Sequence, residues 1–289
     1  MKEFSTYLLL ILLLSISAVS CERVIDPFEK SSGTYSVYGS LDVDEEQHRI
    51  RVRNVSVPFL ADSAIGYDDI SVFFQYPDDS FVQLEDTIIN FNGNYTYNYL
   101  IDGQLEPDTE YAVQLRFNET EEATSIISTP RVSFVDTTPD QSNGCDQELR
   151  IFFQNVDEPE FVIAEVGVRY DGSAHWAPIG TVAKIEQVPN SDRMEVQLSV
   201  TNLLVDIFPP APEATIGIPP RFWRPTVSCT QLDEFTMYLR YIHFGKEWEE
   251  FRDSDFLDFQ FVDSDDVENG IGFVGAIRRG ETSFNFRLN

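Results

Sequence analysis

The sequence predicts an all-β protein, two β-sandwich domains in tandem behind a secretory leader. Three observations carry this. Apolar residues recur with a period of two along most of the chain rather than at helical spacing. Turn-forming pairs separate these runs every ~8–12 residues, the rhythm of a sandwich. One long stretch is too rich in proline for a strand core or a helix. Composition agrees, because 42% apolar residues with 23 Phe and 12 Tyr can build cores, unlike a disordered chain.

Residues 1–20 read as a signal peptide. Lys2 precedes an apolar run over 7–19, which leads into Ala18-Val19-Ser20-Cys21. The run is shorter than the roughly 20 residues a membrane span needs. A cysteine directly behind such a core is the pattern of bacterial lipoprotein signals. Cys21 is therefore expected to be acylated and to hold the chain on a lipid bilayer, with residues 21–33 as the tether. Each buried acyl methylene contributes ~0.8 kcal/mol. The alternative is ordinary signal-peptidase cleavage, with Cys21 there by chance. Of the three cysteines, lipidation of Cys21 leaves Cys145 and Cys229. In an exported chain this pair is expected to form a disulfide, contributing on the order of 4 kcal/mol. Two separately buried thiols are the alternative.

The first domain spans 34–130. Tyr35, Val37 and Leu41 alternate with small residues, and Ile50 and Val52 alternate with Arg49, Arg51 and Arg53. Val72, Phe73 and Phe74 form a buried-type run, and Phe81, Val82 and Leu84 follow the Pro77-Asp78-Asp79 turn. Tyr95, Tyr97 and Tyr99 lie between the hairpin signals Asn92-Gly93 and Asp102-Gly103. Tyr111, Val113, Leu115 and Phe117 close the domain near Pro130. The second domain, 131–289, continues with strands over 132–135, 149–153, 161–170 and 176–185. Met194, Val196, Leu198 and Val200 alternate with polar residues, and 235–244 is another β stretch. The loop 208–225 holds six of the fifteen prolines. Trp248 and Phe251 mark the one short helix expected, over 246–254. No repeat of fixed period appears.

Three segments, in their order and placement, resemble the domain of unknown function 4249 family of Bacteroidetes-type exported lipoproteins. They are Cys21-Glu22-Arg23-Val24-Ile25-Asp26 at the lipidation point, then Tyr38-Gly39-Ser40-Leu41 with His48-Arg49-Ile50-Arg51-Val52, and finally Asn269-Gly270-Ile271-Gly272-Phe273-Val274-Gly275. The resemblance implies an outer-membrane lipoprotein with an immunoglobulin-like N-terminal sandwich, working beside a TonB-dependent transporter. It supplies no catalytic residues, and it leaves open whether the periplasmic or the surface face is occupied.

A net charge of −29 excludes nucleic acid as a partner, since phosphates are bound through Lys and Arg. Gly270, Gly272 and Gly275 satisfy G-x-G-x-x-G, yet no βαβ unit or acidic residue ~20 positions on accompanies them. They read instead as glycines that let a terminal strand pass close to its neighbours. His48, His175 and His243 are too scattered for a zinc site. No nucleophile elbow, P-loop or H-E-x-x-H occurs. The acidic groups Asp42, Asp44, Glu45 and Glu46, then Asp253, Asp255 and Asp258, then Asp263, Asp265 and Asp266, lack the order of a calcium loop and read as solvated turns. No catalytic residue, metal or cofactor is assigned.

Two candidate contact surfaces remain. Arg49, Arg51 and Arg53 should project from one face of one strand, to meet cross-strand carboxylates or an anionic ligand. Phe222, Trp223 and Arg224 in the proline loop are of the types enriched in binding hot spots. The function that fits is a non-enzymatic envelope lipoprotein, an accessory or binding component. The alternative is a carbohydrate- or peptide-binding module with a groove between the domains, marked by Trp176, Trp223 or Trp248.

Overall fold

The computed structural model describes residues 35–54, 70–91, 94–117, 121–137, 148–170, 173–179, 185–199, 202–204, 234–252, 267–268 and 271–287. Cys21, Cys145, Cys229, Phe222, Trp223 and Arg224 lie outside them, as do the acidic groups at 253–258 and 263–266.

The first sandwich is built from β1 (Tyr35–Asp42), β2 (Gln47–Asn54), β3 (Ile70–Gln75), β4 (Phe81–Gln83), β5 (Glu85–Phe91), β6 (Asn94–Asp102), β7 (Glu110–Phe117) and β8 (Glu121–Ser128). One sheet runs β5-β6-β2-β1 and the other β4-β3-β7-β8. In immunoglobulin lettering these are D-E-B-A and C′-C-F-G, a Greek-key sandwich. Local alternation makes each strand. His48, Ile50 and Val52 are buried while the arginines between them point away. Ile70, Val72 and Phe74 alternate with partly exposed neighbours in the same manner.

A corner contact fixes the crossing from one sheet to the other. Tyr111, the second residue of β7, accepts the Glu106 N–H through its hydroxyl at 2.8 Å. This is the tyrosine corner of immunoglobulin-like sandwiches. β5 and β6, which flank the expected Asn92-Gly93 turn, are paired antiparallel, and the turn itself lies outside the described residues. Asp102-Gly103 does not close a hairpin: Gly103 ends β6 at a φ of 104°, and the chain crosses to β7 in the opposite sheet.

The second sandwich repeats this strand order. Its strands are β9 (Phe134–Thr137), β10 (Glu148–Gln154), β11 (Phe161–Tyr170), β12 (Ser173–Pro178), β13 (Ile185–Gln187), β14 (Arg193–Ser199), β15 (Glu234–Phe244) and β16 (Ile271–Arg287). One sheet runs β13-β14-β10-β9, again D-E-B-A, and the other β12-β11-β15-β16, again C′-C-F-G. The expected helix is a 3-10 helix, Lys246–Phe251, with Trp248 and Phe251 buried. Their spacing of three matches its three residues per turn.

The two sandwiches share a sheet. β16 is 17 residues long, well beyond the usual 3–10. Ile271–Ile277 pairs in parallel with β1, from Ser36↔Ile271 to Asp42↔Ile277. Ile277–Arg287 pairs antiparallel with β15, from Phe244↔Ile277 to Glu234↔Arg287. One eight-stranded sheet, β12-β11-β15-β16-β1-β2-β6-β5, therefore runs through both. Strand alternation sends Val274 and Ala276 into the first core and Phe273 and Ile277 into the second. Gly33–Asn289 forms one compact unit.

Candidate functional site

The arginine column sits on the shared sheet. Arg49, Arg51 and Arg53 all leave the face opposite the first core, because residues two apart on a strand share a side. The positions directly opposite them are Leu100 for Arg49, Tyr38 and Asn98 for Arg51, and Ser36 for Arg53. The expected directly facing carboxylates are therefore absent from these registers. Arg49 is exposed, while Arg51 and Arg53 are half-buried and engaged by neighbours. Tyr38, more than a third exposed, stands beside Arg51 on the same face.

Asp44, Glu45 and Glu46 of the turn between β1 and β2 are exposed, as a solvated turn requires, and the turn also meets arginines of β16. Arg278 Nη2 meets Asp44 Oδ1 at 2.8 Å, and Arg279 Nη1 meets Asp42 Oδ2 at 3.0 Å and Glu45 Oε1 at 3.4 Å. Two arginines of β16 thus pair with three of the turn's four carboxylates where the sandwiches join. Burial raises the Asp42 carboxyl above its ordinary 3.8, while the Asp44 N–H and Arg279 pull it back. Among the described residues, no group of three or more His, Cys, Asp or Glu could hold a metal ion.

Further contacts tie the sandwiches together around the 3-10 helix. Glu247 Oε1 accepts the Ser128 N–H at 2.6 Å, at the end of β8. Its Oε2 is buried without a hydrogen-bond partner. Burial accordingly raises the Glu247 carboxyl above its ordinary 4.5. Arg131 bridges Asp108 of the first sandwich (3.2 Å) and Asp157 of the second (2.6 Å). Within the second domain, the Tyr241 hydroxyl donates to the Ser133 carbonyl at 3.2 Å. Local sequence patterns missed this junction because its partners are separated by up to 234 residues.

The histidines stay apart. His48 is buried on β2, where Nε2 donates to the Gly103 carbonyl at 3.1 Å and burial lowers its pKa from 6.5. His243 is fully buried on β15 with Nε2 2.9 Å from Glu160 Oε2, and His175 lies on β12. Of the three tryptophans, Trp223 lies outside the described residues, and Trp176 and Trp248 lie apart. Trp176 lies against Gly167 and carries the Arg240 guanidinium 4.0 Å over its ring. Trp248 packs on Phe273 and Phe244 at the 3-10 helix. The matching points of β11, Gly167 and Phe161, are six residues or about 20 Å apart. Two polar depressions, of about 370 and 470 Å³, flank β13 and are lined chiefly by Glu186, Gln187, Glu195, Asp157, Glu158 and Asp192. Among the described residues, no helix is long and apolar enough to cross a membrane.

Strand order and the tyrosine corner define an all-β protein of two immunoglobulin-like sandwiches. No family model matches the chain, and no curated protein does. Among solved structures, it is similar at 9% identity and a TM-score of 0.26 to a tetra-tandem repeat from the extending region of a large adhesion protein. That match covers 88% of this chain and 50% of the other, so the chain spans about half its length. It is also similar to the two immunoglobulin domains of DIP-gamma (10% identity, 71% and 86% covered, TM-score 0.23). A third is the titin segment A168169 (9% identity, 72% and 89% covered, TM-score 0.20). Likeness at these values carries no argument about activity.

Proposed function

We propose that this chain is a non-enzymatic cell-envelope lipoprotein of the domain of unknown function 4249 type. Acylated Cys21 holds it at the outer membrane, and it serves as an accessory or binding component beside a TonB-dependent transporter. The observation that supports this reading best is the shared sheet. It joins two sandwiches into one long platform and turns the Arg49, Arg51 and Arg53 column outward in a chain of net charge −29. Arg49, the exposed member of that column, gives a partner a defined place to dock in so acidic a molecule, because opposite charge fixes register and orientation.

Photo-crosslinking in intact cells, from probes placed at Arg49 and Tyr38, tests the proposal. The expected product joins the chain to an outer-membrane transporter, and Cys21→Ala moves the protein out of the membrane fraction. Crosslinks to no envelope protein, or a Cys21→Ala protein that remains membrane-bound after a high-salt wash, would contradict it.

A further inference from the structure

An antiparallel sheet that packs one face on a core ordinarily turns charged and polar residues outward on the other. Two of the three sheets do so. The eight-stranded sheet turns out Arg49, Glu165, Arg240 and Glu281, and β13-β14-β10-β9 turns out Asp136, Arg150, Arg193 and Glu195. Sheet β4-β3-β7-β8 differs. Its first outward row crosses all four strands as Phe81, Gln75, Ala112 and Ile126, set by the registers Gln75↔Phe81, Gln75↔Ala112 and Ala112↔Ile126. The next row runs through Gln83, Phe73, Gln114 and Thr124. Val72, Phe74, Val113 and Ile127, which alternate with them, are buried in the first core and fix the outward sense of both rows. None of the positions in these two rows carries a charge, in a chain with 49 acidic and 20 basic residues.

The first row is apolar at both ends, where Phe81 and Ile126 are 45% and 54% exposed in the folded chain. The charges that border the two rows are matched. Arg116 stands opposite Glu122 and lies 4.5 Å over the Phe73 ring, and Glu110 meets Lys246 at 3.8 Å. Asp79, in the turn beyond β3, accepts the Gln75 amide at 3.1 Å. A charge-free centre with large apolar side chains, inside a polar and charged rim, is the composition of a protein–protein interface.

We propose that this outward face of β4-β3-β7-β8 packs on the same face of a second copy about a twofold axis. Net charge decides the occupant. At −29, two copies repel wherever their charged surfaces meet, and a charge-free face lets them touch without opposing like charges. A cationic partner gains more from the acidic surface elsewhere. A twofold contact also requires a patch that complements itself. Turning the first row on its own copy sets Phe81 over Ile126 at both ends, and Gln75 over Ala112, a long side chain over a short one. Four strands about 4.8 Å apart span only about 15 Å. The buried area is therefore smaller than the ~800 Å² per partner of a stable complex, and the dimer is weak. Residual repulsion between the copies is screened within about 8 Å at physiological ionic strength, so added salt tightens the dimer.

Sedimentation velocity of the mature chain bearing Cys21→Ala, which leaves the unit Gly33–Asn289 whole, tests the proposal over a range of concentrations at low and high salt. The expected result is a monomer–dimer equilibrium that tightens with salt. Phe81→Asp and Ile126→Asp should each weaken it by about tenfold or more. Phe134→Asp adds the same charge at a site 50% exposed on another sheet and should leave it unchanged. Should either variant disturb folding by circular dichroism, a benzophenone side chain in place of Phe81 carries the test. Irradiation of mixed light- and heavy-isotope copies should join that position to Glu121–Ser128 of another molecule, read by mass spectrometry. A chain that stays monomeric at its highest soluble concentration, or a dimer indifferent to Phe81→Asp and Ile126→Asp, would overturn the proposal. So would crosslinks between copies that fall outside Glu121–Ser128, or capture of a different protein in their place.

Discussion

Gly272 shows how much a single position contributes to the junction. Its φ is +126°, and a Cβ there would lie 2.0 Å from the Val37 carbonyl oxygen. Only glycine lets β16 run this close to β1. Gly272→Ala should lower stability by at least about 3 kcal/mol, read from urea unfolding, because backbone strain and the clash add. The sequence already indicated that these glycines serve close passage rather than a dinucleotide. The strand they pass could not be read, since Val37 lies far away in the chain. Glu247 gives the second residue-scale prediction. Its raised carboxyl pKa means the folded chain holds this proton more tightly than the unfolded chain does. That contribution is complete below the ordinary 4.5 and is lost as pH rises through the raised value. Buried His48 acts in the opposite sense, since its lowered pKa costs stability as pH falls below 6.5. Glu247→Gln removes only the first effect. The stability of Glu247→Gln relative to the natural chain should therefore rise as pH goes from about 4 to about 8. A difference flat with pH would contradict a buried, proton-binding Glu247.

Among the elements, β16 does the most to shape the molecule. It gives Val274 and Ala276 to one core, Phe273 and Ile277 to the other, and Arg278 and Arg279 to the acidic turn. Ending the chain at residue 270 should consequently disrupt both sandwiches, seen as loss of near-ultraviolet circular dichroism and of a cooperative melt. Persistence of a cooperatively folded first sandwich in that truncation would count against the shared strand. Most strands were legible beforehand because alternation is local. Tyr35, Val37 and Leu41, or Met194, Val196 and Leu198, announce their buried faces without help from distant residues. The parallel pairing of β1 with β16 was not legible, because nothing in either strand names its neighbour. The Tyr111 corner was missed for a similar reason. Tyr111 reads as one more alternating aromatic until the crossing from β6 to β7 gives its hydroxyl a backbone N–H to accept. Trp248 and Phe251 signalled a short helix, but a single spacing of three fits either an α-helix or a 3-10 helix, so its 3-10 form was not legible.

On the scale of the whole molecule, one strand order is used twice with no repeat visible in the sequence. Pairing order depends on which faces are apolar and how the loops cross, and many unrelated sequences satisfy that requirement. The result is a fused pair in place of two beads on a linker, tied by β16, by Arg131 between Asp108 and Asp157, and by Glu247 on Ser128. The candidate surfaces were legible only in part. Three alternating arginines on one strand have to share a face, and Arg49, Arg51 and Arg53 do. Hydrogen exchange read by mass spectrometry can follow backbone peptides over 36–42 and 271–277 together with 277–287. If the sandwiches share one sheet, residues 271–277 exchange as slowly as 36–42 and open in the same unfolding event as 277–287. Fast exchange across 271–277, with 277–287 still protected, would mean that β16 belongs to the second sandwich alone.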